Sequence, residues 1–317
     1  MTNQKPNVLM TLPTRPAAMA RLDAAFTIHA LWEHKDPQAY LASVGPQVQA
    51  VATTGERGLS ADEIAQLPNL EIVACFGVGV DAIDHDACDA GGIPVTNTPD
   101  VLSQDVADLA MGLVLAVLRR IVEADRYVRA GRWPSEGMLR LGTRLAGRRL
   151  GILGMGRIGF ELAKRAAAFD LAVAYHNRRQ RSDCAYQYFD SLTGLARWSD
   201  ILVLTLPGGP STQNLVDEAV LRALGADGVL INVARGSVVD EAALVAALQN
   251  GQIVGAGLDV FAAEPNVPSA LFALDQVVLQ PHQASATDAT RDAMANLVVD
   301  NLLAHFAGKP LLTRYVR

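Results

Sequence analysis

Apolar and polar positions alternate in blocks along the first hundred residues. Four β-like apolar runs predict strands at residues 8–12, 26–30, 48–52 and 72–76. Between them, apolar residues recur at helical spacing, which predicts helices over 17–25, 38–44 and 61–66. Ser60 and Glu63 have the spacing of a capping box and favour a helix start there. Strands that alternate with helices in this way predict a parallel sheet.

The second half of the chain repeats the alternation. Apolar runs predict strands at 150–153, 172–175, 201–205, 229–232 and 254–258, and helices are predicted over 158–168, 240–250 and 289–307. One long helix over 101–129 is predicted between the two halves, and Trp133 beyond it is interpreted as a packing anchor. The 317 residues are enough for two α/β domains, each with a doubly wound parallel sheet.

Composition restricts the class of protein. Half of the residues are apolar, 19% are charged and 5% are aromatic, which is typical of a compact α/β enzyme. The formal net charge of -6 argues against nucleic acid as a partner, and no run of Lys and Arg indicates a membrane surface. A small molecule is therefore the expected substrate.

The cysteines and the apolar runs bear on where in the cell the protein is expected. The longest apolar run, 109–118, is too short to span a bilayer, and the first six residues lack the apolar core of a signal peptide. Cys75, Cys88 and Cys184 are scattered without C-x-x-C spacing, which predicts buried thiols rather than disulfides or a metal site. We therefore expect a cytoplasmic protein with no bound metal.

A glycine-rich turn after the predicted strand 150–153 carries the first candidate chemistry. Gly154, Gly156 and Gly159 have the G-x-G-x-x-G spacing, flanked by a strand and a helix. In such a unit the first glycine makes a tight turn, the second clears space for a pyrophosphate, and the third allows the helix to pack on the strand. The pattern predicts a dinucleotide site at the helix N-terminus.

Three further strand ends carry polar side chains that could act together. Arg235, Glu264 and His282 follow the apolar runs of the second half, in the segments N-V-A-R-G, G-L-D-V-F-A-A-E-P and L-Q-P-H. In an open α/β sheet the ligand crevice lies outside the carboxyl ends of the strands, where these side chains would converge. An arginine binds a carboxylate bidentately, a glutamate orients an imidazole, and a histidine transfers a proton near neutral pH.

The segment Cys75-Phe-Gly-Val-Gly-Val-Asp81 also follows a predicted strand. Its two glycines would allow backbone N–H groups to face an anion such as a carboxylate. A β-turn without a ligand explains the same segment equally well.

Taken together, the motifs G-M-G-R-I-G, N-V-A-R-G, G-L-D-V-F-x-x-E-P and P-H, in this order, resemble the NAD(P)-dependent D-2-hydroxyacid dehydrogenase family. The likeness covers essentially the whole chain. The run from Asp105 to Leu113 and the ending Pro310-Leu-Leu-Thr313 resemble most closely the hydroxyphenylpyruvate reductase and glyoxylate/hydroxypyruvate reductase subgroup.

The resemblance implies a fold and a set of site residues. A Rossmann cofactor domain, residues 99–284, would be inserted in a flavodoxin-like substrate domain of residues 1–98 and 285–317, with the crevice as active site and a homodimer as the assembly. Arg235, Glu264 and His282 would be catalytic, and Val78 and Gly79 would join Arg235 and His282 in binding the substrate. The cofactor contacts would be Gly154, Met155, Gly156, Arg157, Ile158, Asn177, Arg178, Arg179, Pro207, Val233, Ala234 and Asp259.

The choice of cofactor depends on the segment Tyr175-His-Asn-Arg-Arg179. NAD enzymes of this fold carry an acidic residue here for the ribose hydroxyls, whereas an arginine accommodates a 2′-phosphate. No acid is present, so NADPH is expected in preference to NADH, with Arg178 beside the phosphate and Asn177 on the ribose. A solvated basic loop is the alternative interpretation.

Other functions remain open from the sequence. The leading hypothesis is reduction of glyoxylate, hydroxypyruvate or hydroxyphenylpyruvate to a D-2-hydroxy acid. Corepressors that resemble this family keep its fold and cofactor loop, so a nucleotide-sensing scaffold is the main alternative. A formate or phosphite dehydrogenase is disfavoured, because formate enzymes carry Gln where Glu264 stands. Gln283-Ala284 also departs from the x-Gly pair that follows the histidine in many members.

Overall fold

The computed structural model of the chain describes residues 5–317. Residues 1–4, which belong to the segment predicted to lack the apolar core of a signal peptide, lie outside this range. The chain divides into two compact units, Met1–Leu102 with Ala286–Arg317, and Ser103–Ser285. Among the helices of the described range, none combines the length and the apolar character that a membrane crossing requires.

Residues 5–317 contain twelve strands. They are β1 (Asn7–Met10), β2 (Thr27–Ala30), β3 (Ala50–Thr54), β4 (Ile72–Phe76), β5 (Val95–Thr96), β6 (Arg149–Leu153), β7 (Ala172–His176), β8 (Gln187–Tyr188), β9 (Ile201–Leu204), β10 (Val229–Asn232), β11 (Gly255–Leu258) and β12 (Val277–Leu279). The two-residue strands β5 and β8 were not predicted, because two residues are too few to show an alternation.

Twelve α-helices accompany the strands in this described part of the chain. They are α1 (Pro16–Ala25), α2 (Pro37–Val44), α3 (Ala61–Ala65), α4 (His85–Ala90), α5 (Ser103–Leu118), α6 (Ile121–Arg129), α7 (Trp133–Glu136), α8 (Arg157–Ala168), α9 (Leu192–Trp198), α10 (Glu218–Leu224), α11 (Glu241–Gln249) and α12 (Asp288–Phe306). The predicted capping box is present at the start of α3, where Ser60 and Glu63 exchange both hydrogen bonds.

The first unit is a five-stranded parallel sheet in the order β2-β1-β3-β4-β5. Because successive side chains of a strand point to opposite faces, Leu9 and Val51 belong to one apolar cluster and Val8 and Ala50 to another. Helix residues pack on both clusters, so the sheet is covered on its two faces. The strand order is that of flavodoxin-like folds.

The second unit is a seven-stranded parallel sheet in the order β12-β11-β10-β9-β6-β7-β8. Strand order reverses between β6 and β9, which makes this point the topological switch where doubly wound sheets bind ligands. All four residues of β9 and of β10 are buried. The predicted fold class of two parallel-sheet α/β units is therefore confirmed.

The single long helix predicted over 101–129 is wrong. It is two helices, α5 and α6, separated by Arg119 and by Arg120, whose φ of 56° is left-handed. The carbonyl of Leu118 accepts the N–H of Thr143 instead of continuing the helix. Apolar residues continue on both sides of the break, so the sequence pattern does not reveal it.

The interpretation of Trp133 as a packing anchor is also wrong. It is 60% exposed, so it is not a packing anchor within this chain.

Candidate active site

The glycine turn joins β6 to α8 in the second unit and has the geometry of a dinucleotide loop. Gly154 has a φ of 104°, and a Cβ there would lie 2.8 Å from the backbone nitrogen of Leu206. A Cβ on Gly159 would lie 2.6 Å from the Gly154 carbonyl oxygen, whereas no atom lies within 4 Å of the corresponding position on Gly156. The open space at Gly156, at the N-terminus of α8, fits a pyrophosphate.

Two side chains hold this loop in place. The Asn177 Oδ1 accepts the N–H of Met155 at 2.7 Å, and the Thr205 hydroxyl donates to the Gly154 carbonyl at 2.8 Å. Asn177 was predicted on the ribose; in the structure its amide fixes the backbone of the glycine turn. Thr205 was not predicted as a site residue, although a polar residue directly after the buried strand β9 is a detectable signal. Pro207, a predicted cofactor contact, lies two residues beyond Thr205.

The basic segment after β7 contains two kinds of arginine. Arg178 and Arg179 are exposed, and within residues 5–317 neither makes a side-chain hydrogen bond or ion pair. Arg181 differs, because it pairs with Asp183 at 2.6 Å and its guanidinium lies 5.0 Å from the ring centre of Phe160. Arg178 and Arg179 are therefore the cations of this segment that are available to an anionic ligand.

The three predicted catalytic residues follow three neighbouring strands of the seven-stranded sheet. Arg235 comes three residues after β10, Glu264 lies in the segment after β11, and His282 comes three residues after β12. Parallel strands have their carboxyl ends at the same edge of the sheet, so the side chains are brought together there.

Glu264 and His282 form a hydrogen-bonded pair. The Glu264 Oε2 lies 2.7 Å from His282 Nδ1, and Oε1 accepts the N–H of Phe261 at 2.8 Å. Partial burial raises the pKa of the Glu264 carboxyl, but the hydrogen bonds from His282 and Phe261 and the charges of His282 and Arg235 outweigh it, so the pKa lies below its ordinary value. The carboxylate therefore stays ionised at neutral pH and orients the imidazole by its Nδ1.

Asp259 holds the backbone that carries His282. It is fully buried; Oδ1 accepts the N–H of Gln283 at 2.7 Å, Oδ2 accepts the N–H of Ala284 at 3.0 Å, and its carbonyl accepts the N–H of His282. Burial raises the pKa of this carboxyl, and the two N–H groups lower it in part. With the backbone fixed, His282 has a φ of 54°. Asp259 was predicted only as a contact on the nicotinamide side. Its bonds to the backbone of residues 282–284 were not predicted.

Arg235 is positioned by its own motif. The Asn232 Nδ2 donates to the Arg235 carbonyl at 3.0 Å, while its Oδ1 accepts the N–H of Ala234 at 3.0 Å. A Cβ on Gly236 would lie 1.8 Å from the carbonyl carbon of Phe261, so only glycine allows this close approach. The buried Val233 and Ala234 are part of the same turn.

In the first unit, the Gly77–Gly79 loop follows β4. Val78 and Gly79, the predicted carboxylate ligands, are partly exposed there. Arg291 of α12 places its guanidinium 5.4 Å from the ring centre of Phe76, at the end of the same strand. Sequence reasoning missed Arg291, because α12 is separated from β4 by more than two hundred residues.

Possible metal ligands and the three thiols are the remaining candidate groups. Within residues 5–317 no group of three His, Cys, Asp or Glu side chains is arranged to hold a metal ion. None of the three cysteines, which all lie in the described range, forms a disulfide; Cys75 and Cys88 are buried as expected, but Cys184 is partly exposed, so the prediction of a buried thiol is wrong for it.

Comparisons with known proteins agree with this geometry. Residues 111–284 match the model of the D-isomer specific 2-hydroxyacid dehydrogenase NAD-binding domain. The chain is 48% identical to a glyoxylate/hydroxypyruvate reductase A of Arabidopsis thaliana and 48% identical to a hydroxyphenylpyruvate reductase of Plectranthus scutellarioides, in each case over 98% of both chains.

A solved structure extends the likeness to the whole fold. An NADPH-dependent glyoxylate/hydroxypyruvate reductase from Sinorhizobium meliloti, in complex with NADP and malonate, is 44% identical and superposes with a TM-score of 0.91. The match covers 99% of this chain and 97% of that one. The resemblance inferred from the sequence motifs is thus confirmed.

Proposed function

Since the chain belongs to the D-isomer-specific 2-hydroxyacid dehydrogenase family, we propose that it reduces a small 2-oxo acid to the D-2-hydroxy acid, with NADPH as the preferred reductant. It is an oxidoreductase that uses NAD(P)H. The observation that carries the proposal is the Glu264–His282 hydrogen bond beside Arg235, on the same sheet as a dinucleotide loop. An acid held by a carboxylate next to a guanidinium suits a carbonyl that must be polarised and protonated.

The second unit binds the cofactor in this proposal. NADPH supplies the hydride when it is bound. The turn from Gly154 to Ile158 would bind the pyrophosphate, Asn177 to Arg179 the adenosine end, and Pro207, Val233, Ala234 and Asp259 the nicotinamide end. The buried carboxylate of Asp259, already bonded to two N–H groups, would keep this end of the site rigid.

Proton transfer and substrate orientation fall to other residues. His282 would donate a proton to the carbonyl oxygen from Nε2, the ring nitrogen that does not face Glu264. Arg235 would bind the substrate carboxylate and polarise the carbonyl, because a guanidinium forms two parallel hydrogen bonds to a carboxylate. Val78 and Gly79 of the first unit would donate backbone N–H groups to the same carboxylate.

The charge of Glu264 predicts a pH effect. Reduction needs a protonated imidazole, so activity is present at low pH and is lost as pH rises. A neighbouring carboxylate favours imidazolium, and the hydrogen bond from His282 lowers the pKa of Glu264, so Glu264→Gln is expected to shift the alkaline limb of the kcat/KM profile to lower pH. Glu241→Gln is the control, because Glu241 also accepts a backbone N–H, from Ala262, but does not bond His282. An unshifted profile in Glu264→Gln would contradict the role of this carboxylate.

The preference for NADPH rests on the two exposed arginines after β7. The 2′-phosphate is the only group that distinguishes NADPH from NADH, and Arg178 and Arg179 lack any acidic partner among the described residues. Asp183, the acid nearest in sequence, is already bonded to Arg181. A charge-assisted bond of about 1.5 to 3 kcal/mol corresponds to roughly ten- to a hundredfold in affinity.

Removing one of these cations tests the preference. Arg178→Ala is expected to raise KM for NADPH about tenfold or more and to leave KM for NADH nearly unchanged. Arg197→Ala, which removes an exposed arginine on α9 of the same unit, should alter neither value. A wild-type enzyme with the higher kcat/KM for NADH would overturn the proposed preference.

We further propose that the protein is a cytoplasmic homodimer. Five large apolar side chains between residues 121 and 141 are more than half exposed: Ile121, Val128, Trp133, Met138 and Leu141. Such a concentration is typical of a surface that another protein covers, and a second copy of the chain is the occupant proposed. The lack of a disulfide among the three cysteines of the described range is compatible with a reducing compartment. Sedimentation velocity measures the assembly directly.

A turnover panel tests the proposed activity. Glyoxylate, hydroxypyruvate and hydroxyphenylpyruvate are offered with NADPH, and oxidation of the cofactor is followed by its absorbance. The expected result is turnover of at least one of them, with the D-isomer as product on chiral analysis. Absence of turnover with all three would contradict the proposal.

A further inference from the structure

The Gly77–Gly79 loop is held by buried polar groups of the segment that follows β5. The Gly77 carbonyl accepts the N–H of Thr98 at 2.8 Å, and the Gly77 N–H donates to the Thr98 hydroxyl at 3.1 Å. The Asn97 Nδ2 donates to the Val78 carbonyl at 2.9 Å. Asn97 and Thr98 are 8% and 0% exposed. Two successive carbonyls of the loop are therefore tied to the interior of the first unit.

Peptide planarity converts these bonds into a direction for two N–H groups. In a trans peptide the carbonyl of one residue and the N–H of the next point in opposite directions. The bond to the Gly77 carbonyl therefore turns the Val78 N–H away from Thr98, and the bond to the Val78 carbonyl turns the Gly79 N–H away from Asn97. These are the two N–H groups proposed to bind the substrate carboxylate.

Asn97 is in turn held by the C-terminal tail. The Thr313 hydroxyl donates to the Asn97 carbonyl at 2.6 Å, and the Asn97 N–H donates to the Thr313 carbonyl at 3.2 Å. An antiparallel bridge between Thr96 and Arg314 continues this pairing along β5, which is an edge strand of the five-stranded sheet. The tail thus adds a short antiparallel segment beside the residues that fix the loop.

Asn301 of α12 completes the network. It is fully buried, and its Oδ1 accepts the N–H groups of Leu312 and Thr313 at 3.0 and 3.2 Å. Its Nδ2 donates to the Leu297 carbonyl and to the Thr313 hydroxyl, both at 2.8 Å. All four hydrogen-bonding positions of this amide are occupied, so α12 fixes the position of Thr313. The Thr313 hydroxyl in turn fixes Asn97 through the bond to its carbonyl.

We propose that Thr313 and Asn97 are positioning residues for substrate binding. They set the direction of the Val78 and Gly79 N–H groups, and through them the affinity for the substrate carboxylate, without touching the substrate. The proposal rests on the proposed function, because it takes the Gly77–Gly79 loop as the carboxylate site. It gives the C-terminal tail a part in catalysis that its sequence does not indicate.

The central experiment removes the hydroxyl of Thr313 and keeps its shape. Thr313→Val is expected to raise KM for the 2-oxo acid about tenfold, to leave KM for NADPH unchanged and to lower kcat less than it raises KM. Thr313→Ser keeps the hydroxyl and should restore the wild-type KM. Arg317→Ala is the matched control in the same tail, since it removes a surface ion pair with Asp86; it should leave both KM values unchanged.

A second variant and a binding measurement keep the test decisive. Asn97→Ala removes the bond to the Val78 carbonyl from the other side of the network and should produce the same selective rise in KM. Oxalate, a dicarboxylate that mimics the 2-oxo acid, should bind the NADPH-loaded variants about tenfold more weakly by calorimetry. This readout needs no turnover, so it separates failure of this inference from failure of the proposed reaction.

The opposite results are equally clear. If Thr313→Val and Asn97→Ala both bind oxalate as wild type does, the network only stabilises the fold and the inference is wrong. An equal rise in KM for NADPH would also overturn it, because a general loss of structure affects both ligands. If Thr313→Val does not fold, the Asn97→Ala result alone decides between these outcomes.

Discussion

Replacement of His282 by alanine is expected to lower kcat by about 10²- to 10⁴-fold, the usual contribution of a general acid. The imidazole is held by Glu264 at 2.7 Å, and its backbone is fixed by Asp259. Both features orient one ring nitrogen before the substrate binds, so the imidazole needs no reorganisation during the reaction. Steady-state turnover at saturating NADPH, with the best 2-oxo acid of the panel, measures the loss.

The chain contains a close control for this substitution. His305 pairs with Glu71 at 3.2 Å in the first unit, so it is another histidine beside a carboxylate. His305→Ala should leave kcat within a factor of about two, since surface pairs of this kind contribute little. Binding of NADPH should be unchanged in both variants. Turnover close to wild type in His282→Ala would show that another group donates the proton.

Substitution of Arg235 by lysine is expected to raise KM for the 2-oxo acid and lower kcat together, with a combined loss in kcat/KM of about 10²- to 10³-fold. The positive charge is kept, but lysine cannot form two parallel hydrogen bonds to a carboxylate. The backbone of Arg235 is fixed by Asn232 and by the close approach of Gly236 to Phe261. On this fixed backbone, the shorter lysine side chain with its single ammonium group therefore cannot reproduce the two-point contact.

Arg222→Lys is the control for Arg235→Lys. Arg222 is an exposed arginine of the same unit that pairs with Glu218 on α10, and its replacement should leave both kinetic constants unchanged. A change in Arg235→Lys that is confined to KM for NADPH would place this residue at the cofactor rather than at the substrate.

Local patterns determined much of this protein from the sequence alone. Strands β4 and β10 begin and end at the predicted residues, and the predicted capping box of α3 is present. The reason is that caps, apolar runs and glycine turns depend on residues close together in the chain. Because the carboxyl ends of parallel strands lie at one edge of a sheet, the sequence also predicted that Arg235, Glu264 and His282 converge, and their motifs indicated the family.

What the sequence could not determine depends on contacts between distant residues. The break between α5 and α6 is accompanied by the bond from Thr143 to Leu118, and α12 lies beside β4 although the two are far apart in the chain. The bonds from Asn301 to Thr313 and from Thr313 to Asn97 join three segments of the chain. The local sequence of each segment does not indicate that it contacts the others. A buried polar side chain needs a partner wherever the fold supplies one, so only the tertiary structure decided which residues hold the loops of the site.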